Sequence, residues 1–258
     1  MPRRPFVRTV LITGASGGLG AALALEYARD DRVLFLGARR AGPLEEVAGA
    51  CRLRGAEVHT RVIDVCDRAA MEAWVRQADA LSPLGLVIAN AGVSAGTSGL
   101  SDSAEPRAAI DRIFATNVDG VFNTVLPALA CLEPRGSGQI AIMASLAGLR
   151  GMPGAPAYCA SKAAVRVWGE AMRARLKPRG VRLSVICPGF VRTPMTDVNR
   201  FRMPFLMEPD RAARLIRKGL EANRGRISFP WPLALGSWLL AALPDAAAGW
   251  LAGRTPEK

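Results

Sequence analysis

Near its N-terminus the chain reads Arg8-Thr-Val-Leu-Ile-Thr-Gly-Ala-Ser-Gly-Gly-Leu-Gly20, and an alanine-rich run follows over residues 21–28. The β-branched apolar residues before the first glycine predict a buried strand, and the run without glycine or proline predicts a helix. This order is typical of dinucleotide binding, because glycines let the backbone approach a pyrophosphate and the helix N-terminus offers N–H groups. The turn residues expected to contact such a cofactor are Gly14, Ser16, Gly17, Gly18, Leu19 and Gly20.

Two arginines follow the second predicted strand. In dinucleotide-binding folds an acidic residue about 20 positions after the glycine turn holds the ribose 2′-hydroxyl, whereas arginine accommodates a 2′-phosphate. Arg39 lies nineteen residues past Gly20, Arg40 follows it, and no Asp or Glu occurs between Asp31 and Glu45. This region therefore predicts NADP(H) rather than NAD(H) as the cofactor.

A second group of residues predicts acid–base chemistry. Tyr158 and Lys162 are four positions apart, so on a helix they share one face. A lysine cation beside a phenol lowers its pKa from a reference near ~10, which lets the tyrosine exchange a proton near neutral pH. Ser145 lies thirteen residues upstream of the tyrosine, and its hydroxyl is suited to hold a carbonyl or alcohol oxygen in the same site.

The pattern Thr13-Gly-x-x-x-Gly-x-Gly20, Ser145 and Tyr158-x-x-x-Lys162 together resemble the short-chain dehydrogenase/reductase family, from about residue 7 to residue 230. The resemblance implies cofactor contacts from Tyr158 and Lys162 and from residues that follow the third, fourth and sixth strands. Those residues are Asp64, Val65, Asn90, Ala91, Gly92, Pro188, Gly189 and Thr193.

One position departs from the family pattern. Gly17 stands where many NADP-dependent members carry a basic residue. The 2′-phosphate would therefore rest on Arg39 and Arg40, with a further contact from the Ser16 hydroxyl.

The resemblance also implies a reaction, which is NADPH-dependent reduction of a ketone or aldehyde, or the reverse alcohol oxidation. Tyr158 would donate a proton to the developing alkoxide, and Ser145 would orient that oxygen. Lys162 would lower the tyrosine pKa and bind the nicotinamide ribose. Asn117, on the long fourth helix, would hold a water that links Lys162 to solvent.

The whole chain of 258 residues is expected to form a single α/β domain with a doubly wound parallel sheet, the Rossmann fold, because strand and helix signals alternate throughout. Seven strands are predicted near residues 8–13, 32–37, 57–63, 85–89, 138–144, 181–187 and 226–229. Two long helices are predicted near 105–132 and 157–177. In relatives these helices pack against another subunit, so the resemblance implies a homodimer or homotetramer.

Composition argues against several other functions. His59 is the only histidine, so a histidine-rich metal site is excluded, and we expect no metal. The five cysteines are scattered without a Cys-x-x-Cys pair and are expected to be buried, reduced thiols of a cytoplasmic protein. The net charge of +12 comes from arginines spread along the chain, which favours compositional bias over nucleic-acid binding.

Two segments are expected to shape the substrate site. Residues 190–207 are expected to form a lid, and the apolar content of Phe201, Met203, Phe205, Leu206 and Met207 indicates a lipophilic substrate. Residues 231–251 form an apolar extension that carries three of the five tryptophans, Trp231, Trp238 and Trp250. Its first apolar run is about a dozen residues and ends at Pro244 and Asp245, so it is shorter than the ~20 residues of a spanning helix. The extension would pack near the substrate cleft, at a dimer contact or on a membrane surface.

Two alternatives to a lipophilic carbonyl reductase stay open. The first is a 3-oxoacyl-carrier-protein reductase, although the extension beyond the seventh strand favours lipophilic ketone, aldehyde or alcohol chemistry. The second is a non-enzymatic NADP(H)-binding protein, which the complete Ser, Tyr and Lys set disfavours.

Overall fold

The computed structural model describes residues 7–94, 106–199 and 202–244, together with residues 246, 247 and 249. Seven strands lie in these ranges, and each begins and ends within one residue of its predicted position. They are β1 (Thr9–Thr13), β2 (Val33–Ala38), β3 (Glu57–Val62), β4 (Leu86–Ala89), β5 (Gln139–Met143), β6 (Arg182–Pro188) and β7 (Arg226–Phe229).

Helices connect the strands. They are α1 (Gly18–Tyr27), α2 (Ala41–Arg52), α3 (Arg68–Leu81), α4 (Arg107–Phe114), α5 (Gly120–Arg135), α6 (Pro156–Leu176), α7 (Pro194–Asp197), α8 (Pro209–Glu221) and α9 (Trp231–Ala242). A π-helical turn, Ala115–Asp119, joins α4 to α5, and a 3₁₀ turn, Leu146–Gly148, follows β5.

The strands form one parallel sheet in the order β3-β2-β1-β4-β5-β6-β7. The order reverses between β1 and β4, and loops after these two strands leave in opposite directions, which opens a crevice at their carboxyl ends. The doubly wound α/β fold predicted from the alternation of strand and helix signals is confirmed.

Both faces of the sheet are covered by helices. On β1 the buried side chains alternate, so Val10 and Ile12 join a core with α1, α2 and α8, while Leu11 joins a core with α3, α5 and α6. Such two-sided burial explains why the strands read as continuous apolar runs. It also holds the carboxyl ends of β1, β4, β5 and β6 in fixed positions around the crevice.

The long helix predicted over 105–132 is interrupted. Residue 105 lies outside the described residues, and from Arg107 the chain stays helical to Arg135 but passes through the π turn at Ala115–Asp119. A π turn contains one extra residue per turn and is often found at functional sites, and here Asn117 is its central residue. The segment Arg107–Arg135 is long and apolar enough to cross a membrane by composition, but half of its most apolar stretch is buried inside the fold.

The expectation of five buried thiols is wrong at two positions. Cys51, Cys159 and Cys187 are buried, whereas Cys66 is exposed and Cys131 is partly exposed. Cys66 lies in the turn between β3 and α3, where the chain leaves the core, and this position explains its exposure.

His59 contributes to local packing on β3. Its ring stacks on Phe35 with centroids 4.9 Å apart, and its Nε2 lies 2.8 Å from Oε1 of Glu57.

Candidate active site

The glycine turn after β1 has no room for side chains. Gly14 has φ +69°, and a methyl group built there would lie 2.8 Å from the Cα of Ala91. A methyl group at Gly20 would lie 2.1 Å from the carbonyl oxygen of Gly14. The amide of Asn90 fixes the turn from the next strand, because its Nδ2 donates to the carbonyls of Thr13 and Gly14 at 3.0 and 3.2 Å. The turn therefore exposes backbone, rather than side chains, to the crevice at the N-terminus of α1.

Arg40 lies over this turn. Its Nη2 donates to the carbonyl oxygen of Ser16 at 3.3 Å and to the Ser16 hydroxyl at 3.5 Å. The same nitrogen would lie 3.3 Å from a methyl group at Gly17, so the missing side chain at Gly17 makes room for the guanidinium. Arg40, which follows β2, thus brings a basic group onto the glycine turn.

Arg39 points to the other side of the cofactor crevice. Its Nη1 lies 3.9 Å from Oδ2 of Asp64, and both side chains are exposed. The other carboxylate oxygen of Asp64 accepts the backbone N–H of Cys66 at 2.9 Å. Of the two arginines, Arg40 is the one that contacts the glycine turn.

The crevice forms a cavity of about 540 Å³ that runs from the turn to Tyr158. All eighteen residues predicted to bind the cofactor line it. Its walls combine open glycine backbone, the free N-terminus of a helix and two arginines, which is the set that a phosphorylated dinucleotide requires. Further lining residues were missed from sequence because no motif marks them: Ala38, Ile63, Val93, Ser94, Thr116, Met143, Ala144, Val191, Pro194, Met195 and Thr196.

Ser145 and Tyr158 meet at the far end of this cavity. Ser145 begins the 3₁₀ turn after β5, where its Oγ accepts the backbone N–H of Ala147 at 3.1 Å and lies 3.4 Å from the carbonyl oxygen of Pro188. Tyr158 is in the first turn of α6, which begins at Pro156. A hydrogen bond joins the serine and tyrosine hydroxyls. Two separate elements, β5 and α6, thus present their hydroxyls to one point.

The acidity of Tyr158 differs from the prediction. Burial raises the pKa of the phenol, the hydrogen bond from Ser145 lowers it, and Cys159 raises it slightly. Lys162 was expected to lower this pKa, but its Nζ donates to the carbonyl oxygen of Met143 at 2.9 Å and stays 5.8 Å from the tyrosine ring centre. Burial lowers the pKa of Lys162 itself to about 8. Burial is therefore the largest effect on the pKa of both groups, and Tyr158, whose pKa lies above its ordinary value of 10, is protonated at neutral pH.

Asn117 lies behind the cavity and does not line it. It is completely buried, its Oδ1 accepts the N–H of Val93 at 2.8 Å, and its Nδ2 donates to the Val93 carbonyl at 2.9 Å and to Ser161 Oγ at 3.0 Å. A methyl group at Gly92 would lie 3.2 Å from Asn117 Oδ1 and 3.3 Å from Lys162 Nζ. A side chain at position 92 would therefore crowd both the amide of Asn117 and the ammonium of Lys162.

A second cavity of about 450 Å³ begins at the same hydroxyls and is mostly apolar. Residues of the lid and of α9 line it, so the extension packs over a cavity that reaches Ser145 and Tyr158. The lining residues that follow α6 in the chain are Pro188, Gly189, Phe190, Met195, Thr196, Asn199, Arg202, Pro204, Leu233, Gly236, Ser237 and Leu240.

The apolar lid residues expected at this cavity are not the ones that line it. Met207 is buried beside Val191, Phe205 is exposed, Met203 and Leu206 do not line the cavity, and Phe201 lies outside the described residues. The sequence did contain a signal for the residues on α9. Leu233, Gly236, Ser237 and Leu240 follow helical spacing, so they lie on one face.

Among the residues that the structure describes, no group of three or more His, Cys, Asp or Glu side chains is placed to hold a metal ion.

Comparison with known proteins identifies the family. The family model described as short chain dehydrogenase matches residues 8–202, so the chain belongs to this family of oxidoreductases. An uncharacterized oxidoreductase of Myxococcus xanthus is 39% identical over 246 residues, which cover 93% of this chain and 96% of that protein. A ketoacyl reductase of a Nostoc species is 36% identical over 202 residues, covering 77% of this chain and 69% of that protein.

A solved structure is also similar. A short-chain dehydrogenase of Sphingobium yanoikuyae, determined in complex with NADPH, matches with a TM-score of 0.80 and 25% identity over 97% of each chain. The predicted family and the enzyme class are therefore confirmed.

Proposed function

We propose that the protein reduces a lipophilic ketone or aldehyde with NADPH, or catalyses the reverse alcohol oxidation. One observation carries the proposal: the cofactor cavity and the apolar cavity meet at the Ser145 and Tyr158 hydroxyls. Residues that line both cavities are Ser94, Ser145, Tyr158, Pro188, Gly189, Met195 and Thr196. A carbonyl compound in the apolar cavity can thus place its oxygen on the two hydroxyls.

The chain's own groups supply proton transfer and positioning, and NADPH, when bound, supplies hydride. Tyr158, like any phenol, carries a proton at neutral pH and can donate it to a developing alkoxide, and the hydrogen bond from Ser145, which lowers its pKa, favours that donation. Ser145 holds that oxygen by a hydrogen bond. Lys162 would bind the cofactor ribose, and Asn117 would hold a water that links Lys162 to solvent and resupplies the proton.

The preference for NADP(H) rests on charge. Arg40 is already positioned on the phosphate-binding turn, and Arg39 lies beside it at the end of β2. Their guanidinium groups suit a 2′-phosphate, which accepts charge-assisted hydrogen bonds.

A substrate bound to an acyl carrier remains the second candidate, because one relative is a ketoacyl reductase. The mostly apolar lining of the cavity under α9 favours a freely diffusing lipophilic compound.

The test is to follow nicotinamide fluorescence during titration with NADPH and NADH, and then to measure NADPH oxidation with matched ketones. A lipophilic cyclic ketone, its short hydrophilic analogue and a 3-oxoacyl thioester would be compared. Tight NADPH binding and the highest kcat/KM for the lipophilic ketone are expected. A higher value for the thioester would favour the second candidate, and cofactor binding with no turnover of any compound would favour a non-enzymatic role.

We also propose that the protein forms a homodimer or homotetramer through α5 and α6. Leu126 on α5 and Val167 on α6 are 53% and 54% exposed, and the neighbouring side chains Phe122 and Trp168 pack edge to face across the two helices. Light scattering of the wild type and of Val167→Glu would test this, and a monomeric wild type would contradict it.

A further inference from the structure

Helix α9 has the composition of a buried helix but does not lie in a core. The chain carries no charged residue between Arg226 and Asp245. A helix that is apolar on all sides normally lies in a protein core or in lipid. Among the residues described for Trp231–Ala242, however, none is fully buried. Protein covers one side of this helix, and the other side is open.

The two sides of α9 have different surroundings. Its inner side, with Leu233 and Leu240, lines the substrate cavity. Its outer side presents a stripe of large apolar side chains with helical spacing. These residues are Trp231, Leu235, Trp238 and Leu239, which are 74%, 48%, 53% and 51% exposed.

Further exposed apolar side chains lie on the lid, where Met195 also lines the cavity. Met195, Val198 and Phe205 on the lid are 36%, 72% and 57% exposed. Exposed apolar side chains grouped in this way mark a site of interaction with another molecule or a membrane. The two segments that carry them, the lid and α9, both contribute residues to the cavity lining.

The dimensions of α9 restrict what can cover it. Twelve residues form a helix about 18 Å long, which is too short for a hydrocarbon layer of about 30 Å. Its outer side offers a footprint of roughly 200 Å², from a length of about 18 Å and a width of about 10 Å. A stable interface with a second copy buries about 800 Å² per partner. The helix suits a position along a membrane surface, where tryptophan is favoured.

Charge near the cavity also fits a lipid surface. The protein carries a net charge of +12, and the cavity lining contains Arg150 and Arg202 but no carboxylate. On the lid, Arg192 is paired with Glu208, and Asp197 is exposed. A cationic protein with an apolar stripe beside arginines binds best to a bilayer that contains anionic lipids.

We propose that the outer side of α9 lies on the surface of an anionic lipid bilayer and that substrate dissolved in the bilayer enters the cavity beneath this helix. The second half of this proposal rests on the lipophilic substrate proposed above, whereas the docking itself does not. The bilayer would cover Trp231, Leu235, Trp238 and Leu239, and Arg202 would face lipid phosphates.

Co-sedimentation of the full chain with vesicles tests the docking. Phosphatidylcholine vesicles with and without about one-third phosphatidylglycerol would be compared for the wild type, Trp238→Ser/Leu239→Ser and Leu53→Ser. Leu53 is the matched control because it is 91% exposed and follows α2 at the opposite edge of the sheet. We expect the double variant to lower the partition coefficient between vesicles and water about tenfold or more. Leu53→Ser should leave this partition coefficient unchanged.

Other outcomes would overturn the proposal. Equal sedimentation of the wild type and the double variant would show that α9 does not hold the lipid. The wild type could also fail to bind either vesicle type and form a dimer that the double variant does not form. That result would identify a second copy of the chain as the occupant of this surface. Turnover of a water-soluble ketone, measured in parallel without lipid, reports on the proposed reaction alone, so a failure of docking and a failure of the reaction can be told apart.

Discussion

The cofactor side and the substrate side of the crevice are built in different ways. On the cofactor side, glycines and backbone atoms form the wall, and Gly14 and Gly20 are packed so closely that an added methyl group would meet backbone atoms. On the substrate side, side chains of the lid and α9 form the walls, and several large apolar groups face outward. The first kind of site leaves little freedom in sequence, whereas the second is set by side-chain composition.

This difference explains why a sequence motif predicts the cofactor, whereas for the substrate the sequence predicts only its general chemical character. Ser145 and Tyr158 lie where the two sides meet. Substitutions at the junction, on the cofactor side and on the substrate side should therefore have effects of decreasing size.

The largest effect is expected for Tyr158→Phe, which removes the proton donor and keeps the ring. Turnover should fall by about three orders of magnitude while NADPH affinity stays within a factor of about three. Tyr27→Phe is the matched control, since this second tyrosine is buried on α1, away from both cavities. Near-normal kcat in Tyr158→Phe would contradict the assigned role.

Gly20→Ala should distort the glycine turn and weaken NADPH binding. The new methyl group would lie 2.1 Å from the Gly14 carbonyl oxygen, so the turn must move, at a cost of about 3 kcal/mol or more. Gly42→Ala on α2 meets no atom within 4 Å and should change the free energy of unfolding by less than about 1 kcal/mol. Denaturant unfolding and NADPH titration of both variants measure this. Unchanged NADPH affinity in a folded Gly20→Ala protein would show that the turn does not bind the cofactor.

Lys162→Met should trade activity for stability. Burial lowers the folded-state pKa of Lys162 to about 8, so this group disfavours the folded state by about 3 kcal/mol below pH 8, and the penalty disappears as pH rises towards its ordinary value of 10.5. Unfolding of the wild type should therefore show a stability gain between pH 8 and 10.5 that the variant lacks. At pH 7 the variant should be more stable than the wild type, because the gain from removing the buried charge exceeds the loss of the hydrogen bond to Met143. The variant should also be almost inactive. A variant that is less stable at pH 7 would mean that the bond outweighs the desolvation.

Arg40→Ala tests which arginine selects the cofactor. We expect NADPH affinity to fall roughly 10- to 100-fold and NADH affinity to change little, because a charge-assisted contact to the 2′-phosphate is lost. Arg39→Ala is the comparison, with a smaller loss because its side chain is directed towards Asp64. Equal losses for NADPH and NADH in Arg40→Ala would contradict a role in specificity.

The smallest effect is expected on the substrate side. Leu240→Ala opens the apolar cavity, so KM for a lipophilic ketone should rise roughly fivefold with little change in kcat. Leu239→Ala, the adjacent residue on the outer side of α9, should leave KM for a soluble ketone unchanged. If both substitutions raised KM equally, α9 would act through general packing rather than through the cavity wall.

The sequence predicted the sheet well because its signals are local. Apolar β-branched runs bounded by glycine or polar residues specify buried strands, and all seven lie within one residue of their predicted ends. The glycine turn was predictable for the same reason, since the spacing of its glycines reflects backbone geometry.

The parts that were not predicted depend on contacts between distant segments. The π turn around Asn117 is tied to Val93 and Ser161, which belong to other elements, so no local pattern marks it. The raised pKa of Tyr158 reflects burial, and the spacing of Tyr158 and Lys162 carries no information on burial. The lid residues were also misassigned, because apolar composition does not say which way a side chain points.

All six pairs of neighbouring strands are parallel, so each forms only after a complete crossover has been traced by the chain. The pocket for the dinucleotide collects residues from Gly14 to Thr196, which means that no short fragment can assemble it. Contacts so distant in sequence make folding slow and leave partly folded chains exposed to aggregation. A cofactor that binds only the finished pocket would shift the folding equilibrium by mass action. The supply of dinucleotide during synthesis would then set the yield of active protein.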